Sequence, residues 1–217
     1  MIDKRKIILL SASKRRLELL DKSGILPIQI IPNFDERSIA LENIKPIYYP
    51  KLLALGKIRT YKNFSRSVII SADTCVIFNN IVINKPSSVL EASDILFKLK
   101  GLSHKVITAI VVKIEGKIFT VSKTTKVTLR NFSCFEINKY IESGLPFDRA
   151  GGYGIQDLEF SPVIDYKGCY LNVVGLPMCA LDSILSRFDI SINKLDCQND
   201  CNDEKIEEVK NEFFRCR

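Results

Sequence analysis

An α/β or α+β domain built around a mixed sheet is the fold class that this sequence predicts. Three observations point there. Short apolar runs of strand length alternate with longer amphipathic stretches as far as Phe188. Turn residues punctuate them, among them Gly24, Asn79-Asn80, Gly101, Gly116 and Gly144. The 217-residue chain is 46% hydrophobic and 26% charged, a balance that supports a buried core and argues against disorder. That length fits one domain or two tightly joined lobes, and no internal repeat is visible.

The elements follow in order. Ile7-Ile8-Leu9-Leu10 reads as a short buried strand. Ser13 is the N-cap of a helix whose apolar face begins at Leu17, Leu19 and Leu20 and which Gly24 closes. Pro27 to Ile31 is a second short strand, followed by a polar segment with Asp35, Glu36 and Arg37. Pro46 to Lys62 reads as a helix weakened in its middle by Gly56. Val68 to Ala72 and Thr74 to Phe78 form a strand that Asp73 breaks, and Asn79-Asn80 turns it into Ile81 to Asn84. Ser88 with Glu91 is a capping box for a helix ending at Gly101. A long hairpin, Lys105 to Ile114 and Lys117 to Arg130, turns at Glu115-Gly116. Ser133 with Glu136 caps another helix, which stops before Gly144. A glycine-rich loop, Gly151 to Gly154, leads to a strand near Cys169 to Val174, and Pro177 starts a last helix to about Phe188.

Charge and cysteines limit the function classes. The formal charge is +7, but Asp196 to Arg217 carries −3 and the preceding body +10, which suits an anionic ligand, a nucleic acid or simply a solvated lysine-rich surface. No apolar run has the length of a membrane span. Lys4-Arg5-Lys6 precedes too short an apolar run for a signal peptide, so a cytoplasmic protein is expected. Seven cysteines, an odd number without a tight framework, read as thiols of a reducing compartment. Cys197, Cys201 and Cys216 match no zinc spacing, and the single histidine, His104, excludes His-pair metal sites.

Several residues are candidates for chemistry. Lys14, Arg15 and Arg16 put three cations on the first turn of a helix, where the backbone dipole disfavours them. They form an anion site with Ser11 and Ser13 or, alternatively, a solvated basic turn. A carboxylate in the apolar run around Asp73 calls for a cation, a metal, catalytic work or strand-end N–H groups. Lys85 before Pro86 is within reach of a phosphate or is a solvated turn, while Glu36 and Lys57 are unremarked on their own. His104 reads as a hydrogen-bonding strut, with no nucleophile elbow beside it. The 151–156 loop has neither P-loop nor dinucleotide spacing.

Five blocks taken together resemble a known family. Ser11-Ala12-Ser13-Lys14-Arg15-Arg16-Leu17-Glu18-Leu19-Leu20 is similar to the opening signature of the Maf (septum-formation-like) nucleotide pyrophosphatases. Ser71-Ala72-Asp73-Thr74 with Asn84-Lys85-Pro86 resembles the second block, and Gly101 to Ala109 the third. Asp148-Arg149-Ala150-Gly151-Gly152-Tyr153-Gly154-Ile155-Gln156 and Val174-Gly175-Leu176-Pro177 resemble the fourth and fifth. The blocks fall in order over roughly residues 7 to 188.

The resemblance implies an elongated α/β fold of two lobes about a central cleft, a mixed twisted sheet flanked by helices, as in the inosine-triphosphate pyrophosphatases. It implies hydrolysis of nucleoside triphosphates to monophosphate and pyrophosphate with a divalent metal, Mg²⁺ or Mn²⁺, often by a homodimer. By position, Asp73 corresponds to the proton acceptor. Ser11, Arg15, Arg16, Glu36, Lys57 and Lys85 correspond to the triphosphate and metal groups, with Glu36 and Asp73 sharing the ion. Arg15, Thr74 and Gln156 correspond to substrate discrimination. The 148–156 loop resembles the dTTP/UTP branch rather than the branch favouring 7-methyl-GTP. The chain departs from the pattern at Lys14 (usually proline), Leu145 (often acidic), Arg149 (usually lysine) and Gly152 (usually alanine, so a loosened base-reading loop is expected). Residues 1–190 form the expected catalytic domain. Residues 191–217 form an acidic, cysteine-bearing tail, either disordered or a short helix carrying Ile206, Val209 and Phe213. A non-catalytic nucleic-acid or partner-binding regulator of division is the alternative of another class. Against it, aromatic residues are not interleaved with basic ones as stacking platforms require.

Overall fold

The computed structural model describes residues 5–39, 44–62, 66–197 and 205–209. In chain order its elements are β1 (Lys6–Leu10), α1 (Lys14–Lys22), β2 (Ile28–Ile30), α2 (Tyr49–Arg59), β3 (Ser67–Phe78), β4 (Ile81–Ile83), α3 (Val89–Leu99), β5 (Ser103–Ile114), β6 (Lys117–Leu129), α4 (Cys134–Glu142), β7 (Val163–Lys167), α5 (Tyr170–Val174), α6 (Met178–Leu185) and β8 (Glu207–Val209). The strands form one mixed, open sheet in the order β2-β1-β3-β5-β6-β7, with β4 added to β3 and β8 to β6. β1 runs parallel to β2 and β3, and the other pairings are antiparallel. Helices flank this sheet, as the sequence predicts.

Local chemistry accounts for the element ends. Ser13 caps α1, Ser88 caps α3, and Ser133 with Glu136 completes a capping box on α4. Asn79 and Asn80 (φ +49° and +60°) and Glu115-Gly116 (φ +50° and +76°) supply the two left-handed residues of tight hairpin turns.

The long strands divide the core. Leu9, Val68, Ile70, Ala72, Ile110 and Val112 pack against α1, α5 and α6, and Ile8, Leu10, Ile69 and Val111 pack on the opposite face against Ala54 and Ile58 of α2. Further along the same strands, Val76, Val106 and Val127 pack with Leu96, Leu99, Ile137 and Tyr140 of α3 and α4. Between the two regions lies a gap. One edge of β3 is paired with β1 over Ser67–Ser71 and with β4 over Val76–Phe78, so 72–75 have no strand partner on that side. On its other edge β3 pairs continuously with β5 from Ile69 to Ile77.

Some expectations need correction. Asp73 does not break its strand; the interruption lies in the neighbouring strands, β1 ending and β4 beginning beside it. The apolar run Cys169 to Val174 holds helix α5 rather than a strand. The buried Asn172 side chain fixes that turn, accepting from the Thr108 N–H (3.0 Å) and donating to the Val106 carbonyl (3.0 Å) and Thr125 Oγ1 (2.9 Å). The strand instead precedes it as β7, a mostly exposed edge strand whose residues show little apolar pattern. The helix expected over Pro46–Lys62 is α over Tyr49–Arg59 only. In the tail, Glu207–Val209 is a strand on β6 rather than part of a helix, and Phe213 lies outside the described residues.

Candidate active site

The gap in the sheet opens into a cleft of about 650 Å³. Ser11, Arg15, Arg16, Glu36, Lys57, Asp73, Thr74, Lys85 and Gln156, the nine residues to which the family resemblance gives a role, all line it. Three parts of the fold carry most of them, and Lys57 on α2, Glu36 in the turn 36–38 and Lys85 after β4 complete the set.

The first is the β1–α1 connection at the carboxyl end of a parallel strand, where such sheets place their ligand crevices. Ser11 Oγ accepts from the Ser13 N–H (3.2 Å) and from Arg16 Nη1 (3.0 Å), which leaves its own O–H to donate into the cleft. Arg16 is buried, with Nε donating to the Gly175 carbonyl (2.8 Å) and Nη2 to Thr74 Oγ1 (3.0 Å). Burial lowers its pKa and the nearby Asp73 charge opposes that shift, while the three hydrogen bonds fix the group in place. With three of five N–H groups committed to protein, one remains on each terminal nitrogen for a ligand. Lys14, by contrast, is exposed and is not among the lining residues, so it does not add its charge to the cleft wall.

The second is the open stretch of β3. Period-two alternation puts Ser71, Asp73 and Cys75 towards α2 and Thr74 towards Arg16. Ser71 Oγ donates to the Ala54 carbonyl (2.7 Å), and Asp73 Oδ2 pairs with Lys57 Nζ. Asp73 Oδ1 accepts the Thr74 N–H (2.9 Å), a backbone donor on the edge without a strand partner. Thr108 Oγ1 donates to the Asn172 carbonyl (2.8 Å), so in the 2.9 Å contact between the two threonine hydroxyls Thr74 is the donor. Thr74 therefore gives its proton inwards and its lone pair to Arg16. Cys75 is buried beside Tyr49 and Leu53. Burial, followed by the charges of Asp73 and Glu36, pushes its thiol well up, which excludes a thiolate nucleophile at neutral pH.

Gly56 explains how Glu36 reaches this point. The Phe34 ring lies over it, where a Cβ would be 2.2 Å away. That contact seats the turn Glu36–Ser38 against α2, and Glu36 Oε1 stands 3.0 Å from Lys57 Nζ. Two carboxylates thus converge on one ammonium.

The third part is the segment 145–156. Asp148, to which the sequence motif assigns no role, accepts from Arg15 at both its carboxylate (3.1 Å) and its carbonyl (2.9 Å), and from Lys85 (3.0 Å). Burial opposes its ionisation, but the hydrogen bonds and charges of Lys85 and Arg15 outweigh it and hold the carboxyl below its usual range. Arg149 pairs with Asp157 at 2.6 Å, their side chains 10% and 6% exposed. Asp157 also accepts from Tyr140 and from the Gly154 N–H (3.1 Å). A Cβ at Gly154 would lie 2.0 Å from Arg149 Nη1, so this pair needs glycine there. The Arg149 departure thus belongs to a buried ion pair. Gly152 sits at φ +70°, a left-handed conformation natural to glycine and strained for alanine, so this departure relieves the loop rather than loosening it. Gln156 lines the cleft from the end of this segment, half-buried.

His104 serves as a strut behind the cleft. Its Nε2 shares a 2.6 Å hydrogen bond with the hydroxyl of Tyr153, a lining residue, and the rings meet edge-on at 5.4 Å. Burial depresses its pKa to about 4. The unfolded chain therefore takes up the proton first, near pH 6.5. Folding stability drawn from neutral His104 is intact above that pH and is lost progressively towards pH 4. Between those limits the wild type should lose up to about 3 kcal/mol more than His104→Gln does, read from urea midpoints. Parallel pH profiles for the two proteins would remove this assignment.

Comparison with known proteins gives a consistent set of relatives. Residues 6–188 match the family model described as Maf-like protein. The chain is 41% identical over 184 residues to a dTTP/UTP pyrophosphatase of Clostridium beijerinckii, covering 83% of this chain and 97% of that protein. It is 37% identical over 188 residues to a dTTP/UTP pyrophosphatase of Dehalococcoides mccartyi, covering 83% and 81%. To one of Chlamydia trachomatis it is 35% identical over 189 residues, covering 86% and 96%.

Proposed function

The chain belongs to the Maf-like family, and from that premise we propose that it hydrolyses dTTP and UTP to the nucleoside monophosphate and pyrophosphate. The observation that carries this reading is the meeting of a buried Asp73 with Arg15, Arg16, Lys57 and Lys85 around one cleft. Four cations there match the charge of a triphosphate, and phosphoryl transfer asks mainly for charge neutralisation and a placed water.

In this reading the Ser11 hydroxyl, the two remaining Arg16 N–H groups and the α1 N-terminus hold phosphate oxygens. Arg15 and Lys85 transfer from Asp148 to the substrate. Asp73 receives a proton from the attacking water as a new P–O bond forms and the bond to the pyrophosphate leaving group breaks. Its two oxygens accept from Lys57 and the Thr74 N–H, which fix its orientation while lone pairs remain for that water. Thr74 acts through Arg16, whose position it holds. The Gln156 amide can donate to O4 and accept from N3–H of uracil or thymine, which supports the pyrimidine assignment.

Glu36 and Asp73 fit a divalent cation. Their oxygens already converge on the Lys57 ammonium, and a hard Mg²⁺ or Mn²⁺ favours carboxylate, water and phosphate donors. Once bound, such an ion withdraws charge from the phosphate oxygens. Residues 1–190 are the catalytic domain in this proposal and 191–217 an appended tail. Among the described residues no helix is long and apolar enough to cross a membrane, and none of the five described cysteines forms a disulfide, which supports a cytoplasmic setting. A homodimer is also part of the proposal, supported by exposed Leu26, Ile28 and Ile31 beside the edge strand β2.

Pyrophosphate release from a panel of triphosphates tests the reading. Metal-dependent turnover led by dTTP and UTP is expected. A preference for 7-methyl-GTP would keep the reaction and overturn the base assignment. Absence of turnover with either metal, together with salt-steep oligonucleotide binding, would favour the non-catalytic regulator instead.

A further inference from the structure

Away from the cleft, three sulfurs meet. Those of Cys169, Cys179 and Cys197 lie within 4.8 Å of one another. Cys169 is fully buried at the start of α5, Cys179 stands in the first turn of α6, and Cys197 comes from the segment after α6. That segment packs on the body through Ile190, Ile192 and Leu195, and its Asn193 N–H donates to the Ser23 carbonyl at the end of α1 (2.8 Å). None of the three cysteines lines the cleft.

We propose that Cys169, Cys179 and Cys197 form a zinc site of three thiolates, with the fourth position open to water or another ligand. Zinc–sulfur bonds of about 2.3 Å on a tetrahedron set the sulfurs about 3.8 Å apart, so the observed spacing closes onto an ion with small movements. An all-sulfur donor set selects a soft or borderline ion and discriminates against the Mg²⁺ or Mn²⁺ suited to the carboxylates of the cleft. Binding breaks three S–H bonds, releases three protons to solvent and forms three zinc–sulfur bonds, leaving the site with one net negative charge. Hydrogen bonding with the Cys179 and Cys197 thiols, then burial, raises the Cys169 thiol far above its usual range.

The site would tie the C-terminal segment to the two helices that flank Arg16's seat. α5 follows Cys169 directly, carries Asn172 against β5 and β6, and leads to Gly175, whose carbonyl accepts Arg16 Nε. Zinc here would hold these chain segments together and has no part in the transfer step.

The full chain, purified under reducing conditions, is loaded with Zn²⁺, passed over a desalting column and analysed for metal. About one zinc per chain is expected in the wild type, with about a tenth of that in Cys179→Ser and in Cys197→Ser. Co²⁺ in place of Zn²⁺ should give thiolate-to-metal charge-transfer absorption that both variants lack. Turnover of dTTP with excess Mg²⁺ serves as the folding control, because neither cysteine touches the cleft. A reduced wild type that retains no zinc, or variants that retain it equally while folded, overturns the site.

Discussion

Asp73→Asn is expected to reduce dTTP and UTP turnover by a factor of about 10²–10⁴, the usual contribution of a positioned acid–base group, and by more if the carboxylate also holds the metal. The substitution keeps the volume and an oxygen for the Thr74 N–H, so the local backbone of β3 has what it needs. What disappears is the negative charge facing Lys57. That ammonium retains Glu36 at 3.0 Å, so it is not left without a counter-charge. The fold should therefore survive, with an unchanged circular dichroism spectrum and a cooperative unfolding transition. Because the proton acceptor is lost rather than a binding contact, the fall should appear in kcat more than in KM. A variant that turns over at near the wild-type rate would take Asp73 out of the chemistry and leave it as Lys57's structural partner.

Asp157→Ala should produce the largest loss of stability, about 3–5 kcal/mol, because it removes one member of a buried pair and strands the other. Arg149 would be left 10% exposed without its 2.6 Å partner, and the Tyr140 hydroxyl and Gly154 N–H would lose their acceptor as well. Such a loss is a large part of the stability of an ordinary domain. Asp157→Asn, which keeps the shape and some of the acceptors, should be milder. Urea unfolding of both variants is the measurement, and a loss below about 1 kcal/mol for the alanine variant would show that Arg149 finds another partner or reaches water. Since Asp157 also holds the loop between Tyr153 and Gln156, a rise in KM for pyrimidine triphosphates should accompany the instability.

The sequence made the candidate site legible wherever a residue broke its local rule. Asp73 stands in an apolar strand and Arg15 and Arg16 begin a helix, so both could be singled out without knowing their neighbours. The fold explains the offence in each case: β3 carries Asp73 past a gap between β1 and β4, and the α1 N-terminus faces the same gap. Lys57, Glu36 and Gln156 broke no rule, and only the resemblance drew attention to them. What stayed hidden was pairing over long separations. Asp148 meets Arg15 across 133 positions, and Asn172 meets Val106 across 66, which no local pattern encodes. The run Cys169 to Val174 misled for the same reason. Its β-branched and aromatic residues favour a strand, and the Asn172 contacts decide for a helical turn. His104 was readable as a strut, but its partner Tyr153 was not.

Asp148 has a consequence for how the protein meets its ligand. In the free protein this one carboxylate faces both Arg15 and Lys85 and offsets about half of their positive charge, so the cleft is equipped with its own counter-ion. On the proposed function, ligand entry is an exchange of one anion for another at those two side chains, rather than the filling of a bare positive hollow. Such an internal exchanger keeps two cations apart from stray anions and softens the dependence of binding on ionic strength. It also makes displacement harder for a singly charged intruder than for a polyphosphate, which brings enough charge to replace the carboxylate on both partners at once.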